Sequence, residues 1–128
     1  MARMKSGTKP TEAELNLLNV LWQMGPATVR QVHDVVNNTQ KTGYTTVLKI
    51  LQIMHEKTLV IRDESNRAHV YAAANSEIHT QTSLLKDLVS KAFGGSTSKL
   101  VMRAIGDSTT QSEIDDMRNV LNELEKQA

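Results

Sequence analysis

Apolar residues recur along this chain at intervals of three and four, and polar clusters interrupt them, so the pattern predicts a succession of short amphipathic helices. Thr11 and Glu14 open the first with the spacing of a capping box, in which the hydroxyl accepts from the amide three residues on and the Glu reaches back. Leu15, Leu18, Leu21 and Trp22 share its buried face, and Gly25-Pro26 ends it. Thr28 caps a second helix with a stripe of Val29, Val32, Val35 and Val36 that runs into the polar group NNTQKTG. Valines are weak helix formers, but their spacing fits helix better than alternation.

From Gly43 a third helix gathers Tyr44, Val47, Ile50, Leu51 and Met54 on one side and Thr45, Lys49, Gln52 and Glu56 on the other. Two β-rich runs, TLVIRD and AHVYAA, flank the turn ESNR and predict a hairpin, whose register decides the facing of Val60, Arg62, His69 and Tyr71. Breaks at FGGS and GDSTTQSE divide the rest into helices near residues 76–93, 97–106 and 111–126, capped by Ser76, Ser96 and Thr110 or Ser112.

The expected architecture is mainly α: residues 1–75 form a winged helix-turn-helix domain of three helices plus a β-hairpin wing, and residues 76–128 form a three-helix dimerisation domain. About fifty residues are few for a self-sufficient core. The apolar positions Leu84, Leu85, Leu88, Phe93, Leu100, Val101, Ile105, Ile114, Met117, Leu121 and Leu124 therefore call for a partner surface, and a homodimer supplies one most simply.

Composition narrows the class. Of 128 residues 39% are hydrophobic but only 3% aromatic, so the core is aliphatic, which favours helices. There is no cysteine, which excludes disulfides, thiolate metal sites and a Cys nucleophile. No apolar run approaches a membrane span, and the first ten residues, MARMKSGTKP, lack the apolar region of a signal peptide, so a cytoplasmic protein without membrane insertion is expected. The net charge of +1 hides an asymmetry: residues 1–75 carry nine Lys/Arg against six Asp/Glu, and residues 76–128 six against eight.

A third helix with Thr45, Lys49 and Gln52 on its polar face, followed by a hairpin, suits double-stranded DNA. The hydroxyl, ammonium and amide reach base edges or phosphates, and Thr46 sits where the helix dipole favours a phosphate oxygen. Arg62, Asn66 and Arg67 on the wing offer backbone contacts; Thr28 and Arg30, at the start of the second helix, complete the candidate set. The rival expectation is a winged-helix module that binds protein, since the positive charge of residues 1–75 is modest.

The segments EAELNLLNVLWQMGPATVRQV, YTTVLKILQIMHEK, NRAHVYAA and AFGGSTSKLV, in this order, resemble the bacterial penicillinase-repressor family of dimeric winged-helix repressors, from about Thr11 to Leu124. The resemblance implies an operator-binding domain followed by a helical dimerisation domain, in proteins that control β-lactamase, methicillin-resistance and copper-response operons. Thr45, Thr46 and Val47 match the TTV that opens the family's recognition helix. The family often has Thr where this chain has Lys49, Arg where it has Ile53 and Gly where it has Thr58. Copper-responsive relatives carry a cysteine-rich motif that is absent here, which argues against direct metal sensing. Antibiotic-responsive relatives imply release through a membrane sensor peptidase and cleavage of the repressor. The matching region here is LVMRAIGD, with Arg103-Ala104 in place of an Asn-Phe pair and a cut expected between Val101 and Ile105, at Met102, Arg103 or Ala104.

Chemistry of other kinds finds no foothold. His33, His55, His69 and His79 lack ligand-like spacing, so no metal and no cofactor is expected. Trp22 and the six methionines read as packing residues. No nucleophile elbow, phosphate-binding loop or paired-carboxylate arrangement marks an enzyme, and Asp115-Asp116 reads as a polar patch.

Overall fold

The computed structural model describes residues 9–128, so all of the leading segment but Lys9 and Pro10 lies outside the described residues. In chain order the elements are α1 (Glu12–Met24), β1 (Ala27–Thr28), α2 (Val29–Thr39), α3 (Tyr44–Glu56), β2 (Val60–Asp63), β3 (Val70–Ala73), α4 (Glu77–Ala92), α5 (Thr97–Ala104) and α6 (Gln111–Gln127). The described chain divides after Lys86 into two compact units.

Local chemistry sets the helix ends. Thr11 and Thr28 form complete capping boxes with Glu14 and Gln31, and Thr110 does the same with Glu113. Ser76 and Ser96 accept from the amides of His79 and Lys99. Gly25 ends α1 at φ 82° and ψ −169°, a region essentially reserved for glycine, and turns the chain into Pro26. At the end of α3 the amides of Thr58 and Leu59 return to the carbonyls of His55 and Met54 in a Schellman closure. The left-handed position of that closure, at φ 62°, is held by Thr58.

In the first unit α1 packs on α2, α3 and β3, while α3 also meets β2. The core takes Leu17, Leu18 and Leu21 from α1, Val29 and Val32 from α2, and Val47, Leu51 and Met54 from α3, closed by Ala27, Leu59, Val60 and Tyr71. The strands form one antiparallel sheet in the order β1-β3-β2, with Arg62 opposite Tyr71 and Ala27 opposite it on the other side. Three helices, a short strand between the first two, and a hairpin after the third make a winged helix-turn-helix.

The pattern missed β1. Two residues carry no periodicity, and Ala27 and Thr28 become a strand only by pairing with Tyr71 and Val70. Val35, expected in the α2 stripe, is exposed: at 100° per residue it falls roughly 90° around the helix from the mean of Val29, Val32 and Val36. Tyr44 is exposed as well, because as the first residue of α3 it overhangs the core; its ring meets that of His33 edge-on, with centroids 5.9 Å apart. Leu15, Ile50 and Trp22 pack half-buried against the core, with the Trp22 indole donating to the Asn75 carbonyl at 3.0 Å.

The second unit is built differently. It contains the end of α4, α5 and α6, and no residue from 81 to 128 is buried. α5 ends at Ala104, two residues before the expected boundary, because Ile105 is already extended at φ −78° and ψ 125°.

Candidate nucleic-acid interface

α3 exposes the polar face expected of it: Thr45, Lys49, Gln52 and Glu56 are all open to solvent, while Val47, Leu51 and Met54 on the other side are fully buried. The helix is thus anchored by one side and free on the other, which is what a probe that enters a groove requires. Its N-cap is Gly43, which supplies no side-chain acceptor, whereas Thr11, Thr28, Ser96 and Thr110 each cap their helices. The first amides of α3 therefore have no side-chain oxygen over them, and Thr46 stands exposed in that first turn.

The loop that delivers α3 is tied down. Thr42 donates its amide to Asn37 Oδ1 at 3.2 Å, and its carbonyl lies 2.7 Å from His33 Nε2, so α2 fixes where the loop turns. The far end of α3 is held by Lys57, whose ammonium lies 2.7 Å from Glu14 Oε1. Glu14 is buried at 4% exposure and also accepts the Thr11 amide at 2.8 Å. Burial pushes its carboxyl up, but the hydrogen bonds from Lys57 and Thr11 and the Lys57 charge outweigh it and leave the group below its ordinary value. A capping residue of α1 thereby becomes a strut under α3, a role the capping-box spacing alone did not reveal.

The remaining candidates fall on α2 and the wing. Thr28 is half-buried and its oxygen accepts from Gln31, so its hydroxyl proton is what it has left to offer a phosphate. Arg30, Lys49 and Arg67 are exposed and make no ion pair among the described residues; Asn66 and Arg67 lie in the six-residue connection between β2 and β3. Arg62 is different: half-buried on β2, it donates through Nε to Glu64 Oε2 at 2.8 Å, with Nη2 2.7 Å from the same oxygen. Hydrogen bonding to Tyr71 and to Glu64 raises its affinity for its proton. Asp63 is held low by the Ser65 hydroxyl and amide, which it accepts at 2.6 and 2.9 Å to form the turn. β2 ends at Asp63, where the TLVIRD run meets the ESNR turn, but the Arg62–Glu64 pair was not foreseen, since it depends on how that turn aims the Glu64 side chain.

The expected dimer-forming residues all lie on α4, α5, α6 or their connections, and none is buried. Leu85, Leu88, Val101, Ile105, Leu121 and Leu124 are between 41 and 60% exposed. Met102, Arg103 and Ala104 form the exposed last turn of α5. Among the described residues no group of His, Asp and Glu side chains is arranged to hold a metal, and no helix is long and apolar enough to cross a membrane.

The chain is 29% identical over 119 residues to the transcriptional regulator BlaI of Mycobacterium tuberculosis, covering 92% of this chain and 86% of that one. It is 20% identical over 115 residues to the penicillinase repressor of Staphylococcus aureus, with 89% and 91% covered. Among solved structures it aligns with AbfR of Staphylococcus epidermidis at a TM-score of 0.47 and 15% identity, over 94% of this chain and 72% of that one. The relatives are regulators rather than enzymes. Residues 10–123, from the start of α1 into α6, match the penicillinase repressor family as a whole, and the chain belongs to that family of transcriptional regulators.

Proposed function

We propose that the protein is a homodimeric repressor that reads a two-fold-related operator with α3 and braces it with the wing. The observation that carries this reading is the exposed Thr45, Lys49 and Gln52 face of a helix whose opposite side is locked into the core. Lys49 donates to guanine edges or phosphate, Gln52 suits adenine, and Thr45 either. Thr46 and the uncapped amides of α3 receive a phosphate, as do Thr28, Arg30, Arg62, Asn66 and Arg67. The apolar stripes of α4, α5 and α6 meet those of a second copy, which sets two recognition helices one DNA turn, or a simple multiple, apart.

Binding of the upstream region of its own gene, followed by fluorescence anisotropy, tests this directly. Lys49→Ala is expected to weaken binding by about 1–3 kcal/mol and relax the preference at one base pair if Lys49 reads a base. An unchanged footprint and affinity removes Lys49 from the reading set. No binding at any salt concentration favours the protein-binding alternative.

Release from the operator is proposed to be signal-dependent, through a sensor peptidase that cuts between Val101 and Ile105. The exposure of Met102, Arg103 and Ala104 supports that site. Full-length protein in an extract of induced cells, with the regulated genes switched on, contradicts it.

A further inference from the structure

Within the proposed DNA-contacting set, Arg62 is the one cation that already has a counter-ion among the described residues. Its stem cannot move far: Arg62 stands opposite Tyr71 in the β2–β3 register, and facing residues of an antiparallel pair project from the same side of the sheet. Tyr71 is a core residue at 1% exposure, so the Arg62 stem is anchored on the core-side rim of the wing. Glu64 has the opposite character. It is the first residue beyond β2, its side chain is 53% exposed, and Arg62 is its one hydrogen-bond partner among the described residues. The neighbouring Asp63 is committed to the Ser65 turn and cannot take its place.

The guanidinium presents Nε and Nη2 to a single carboxylate oxygen, an arrangement that a phosphate oxygen reproduces. We propose that Glu64 is an affinity-tuning residue: an internal stand-in for phosphate that occupies the Arg62 fork in free protein and must be displaced by the operator backbone. This rests on the reading of the wing as a DNA contact. The exchange is asymmetric, since the anchored arginine stays and the exposed glutamate swings into solvent. Displacement also leaves an unpaired carboxylate beside the DNA backbone, so the wing contributes less to binding than its cation count suggests. The residue sets a ceiling on non-specific affinity, because every phosphate meets the same competitor whatever the sequence.

The test is a double-mutant cycle of Glu64→Gln and Arg62→Gln in the full chain. Anisotropy of a labelled duplex from the gene's own upstream region is measured across a salt series, with thermal unfolding as the check on folding. Glu64→Gln is expected to bind about two- to fivefold more tightly, the range of an exposed ion pair. Its plot of log affinity against log salt steepens by up to about one phosphate contact. In the Arg62→Gln background the same change is expected to gain nothing.

Weaker binding by Glu64→Gln overturns the proposal, since Glu64 would then be orienting Arg62 toward the backbone. A gain that survives in the Arg62→Gln background overturns it too, because general repulsion suffices. Unchanged affinity in Glu64→Gln, with the wild type binding normally, ends this proposal alone; a wild type that binds no duplex ends the DNA reading and this proposal with it.

Discussion

The two units use the same device and reach opposite results. In α1 and α3, apolar residues at intervals of three and four are covered by other elements of the same chain, and Leu18, Leu51 and Met54 are at most 2% exposed. In α6 the same spacing places Ile114, Met117, Leu121 and Leu124 in a stripe, yet Leu121 and Leu124 remain 60 and 57% exposed. Periodicity says that a face needs a cover, and says nothing of which chain supplies it. The first unit closes its core by wrapping a sheet and three helices around Tyr71 and Leu51; the second has too few residues to enclose its own.

This contrast is sharpest under mutation. Leu51→Ala is expected to cost about 2–5 kcal/mol at every protein concentration, because it opens a cavity in a core complete within one chain. Leu121→Ala is expected to act through assembly, so its effect on the melting temperature is negligible in the dilute, monomeric range and grows to a limit as concentration rises past the dissociation constant. Thermal denaturation over a hundredfold concentration range separates the two. A concentration-independent loss in Leu121→Ala would show the second unit to be self-sufficient.

Next in size is the strut beneath α3. Glu14→Gln is expected to cost about 1–3 kcal/mol, because it leaves Lys57 facing a neutral group in a largely buried site. The same pair gives the pH dependence its sign. The Glu14 carboxyl is depressed from 4.5, so its contribution is fully present above the unfolded value and disappears as pH falls through the lower folded one. Denaturant titrations below pH 5 should therefore show stability falling more steeply in the wild type than in Glu14→Gln. Parallel profiles would mean that the pair contributes nothing.

The smallest expected effect is a gain. Thr58 holds the left-handed position that closes α3, where relief of side-chain strain exceeds the entropy that glycine loses on folding. Thr58→Gly is expected to stabilise the first unit by about 0.5–1 kcal/mol, read from the shift in the urea midpoint. A lower midpoint would contradict this account of the helix end.

What was legible in the sequence is what is local. Thr11 with Glu14 could be read as a capping box, Thr28 as a helix cap and Thr110 or Ser112 as alternative caps, because capping spans about four residues; the structure adds Gln31 and Glu113 as partners of Thr28 and Thr110. The polar face of α3 could be drawn for the same reason. What depended on distant pairing could not. β1 exists through β3, and the Glu14–Lys57 contact joins residues 43 positions apart. Val35 shows the limit within a single helix, where spacing admits a residue to the stripe that packing leaves outside.

The proposal that a second copy completes the second unit is tested most directly by the molar mass of the full chain in sedimentation equilibrium, with and without operator DNA. The expected mass is twice the chain's 14.2 kDa in free solution, with the same two copies on one duplex. A free species of 14.2 kDa that binds DNA as a single copy, with its C-terminal helices intact by circular dichroism, would contradict it.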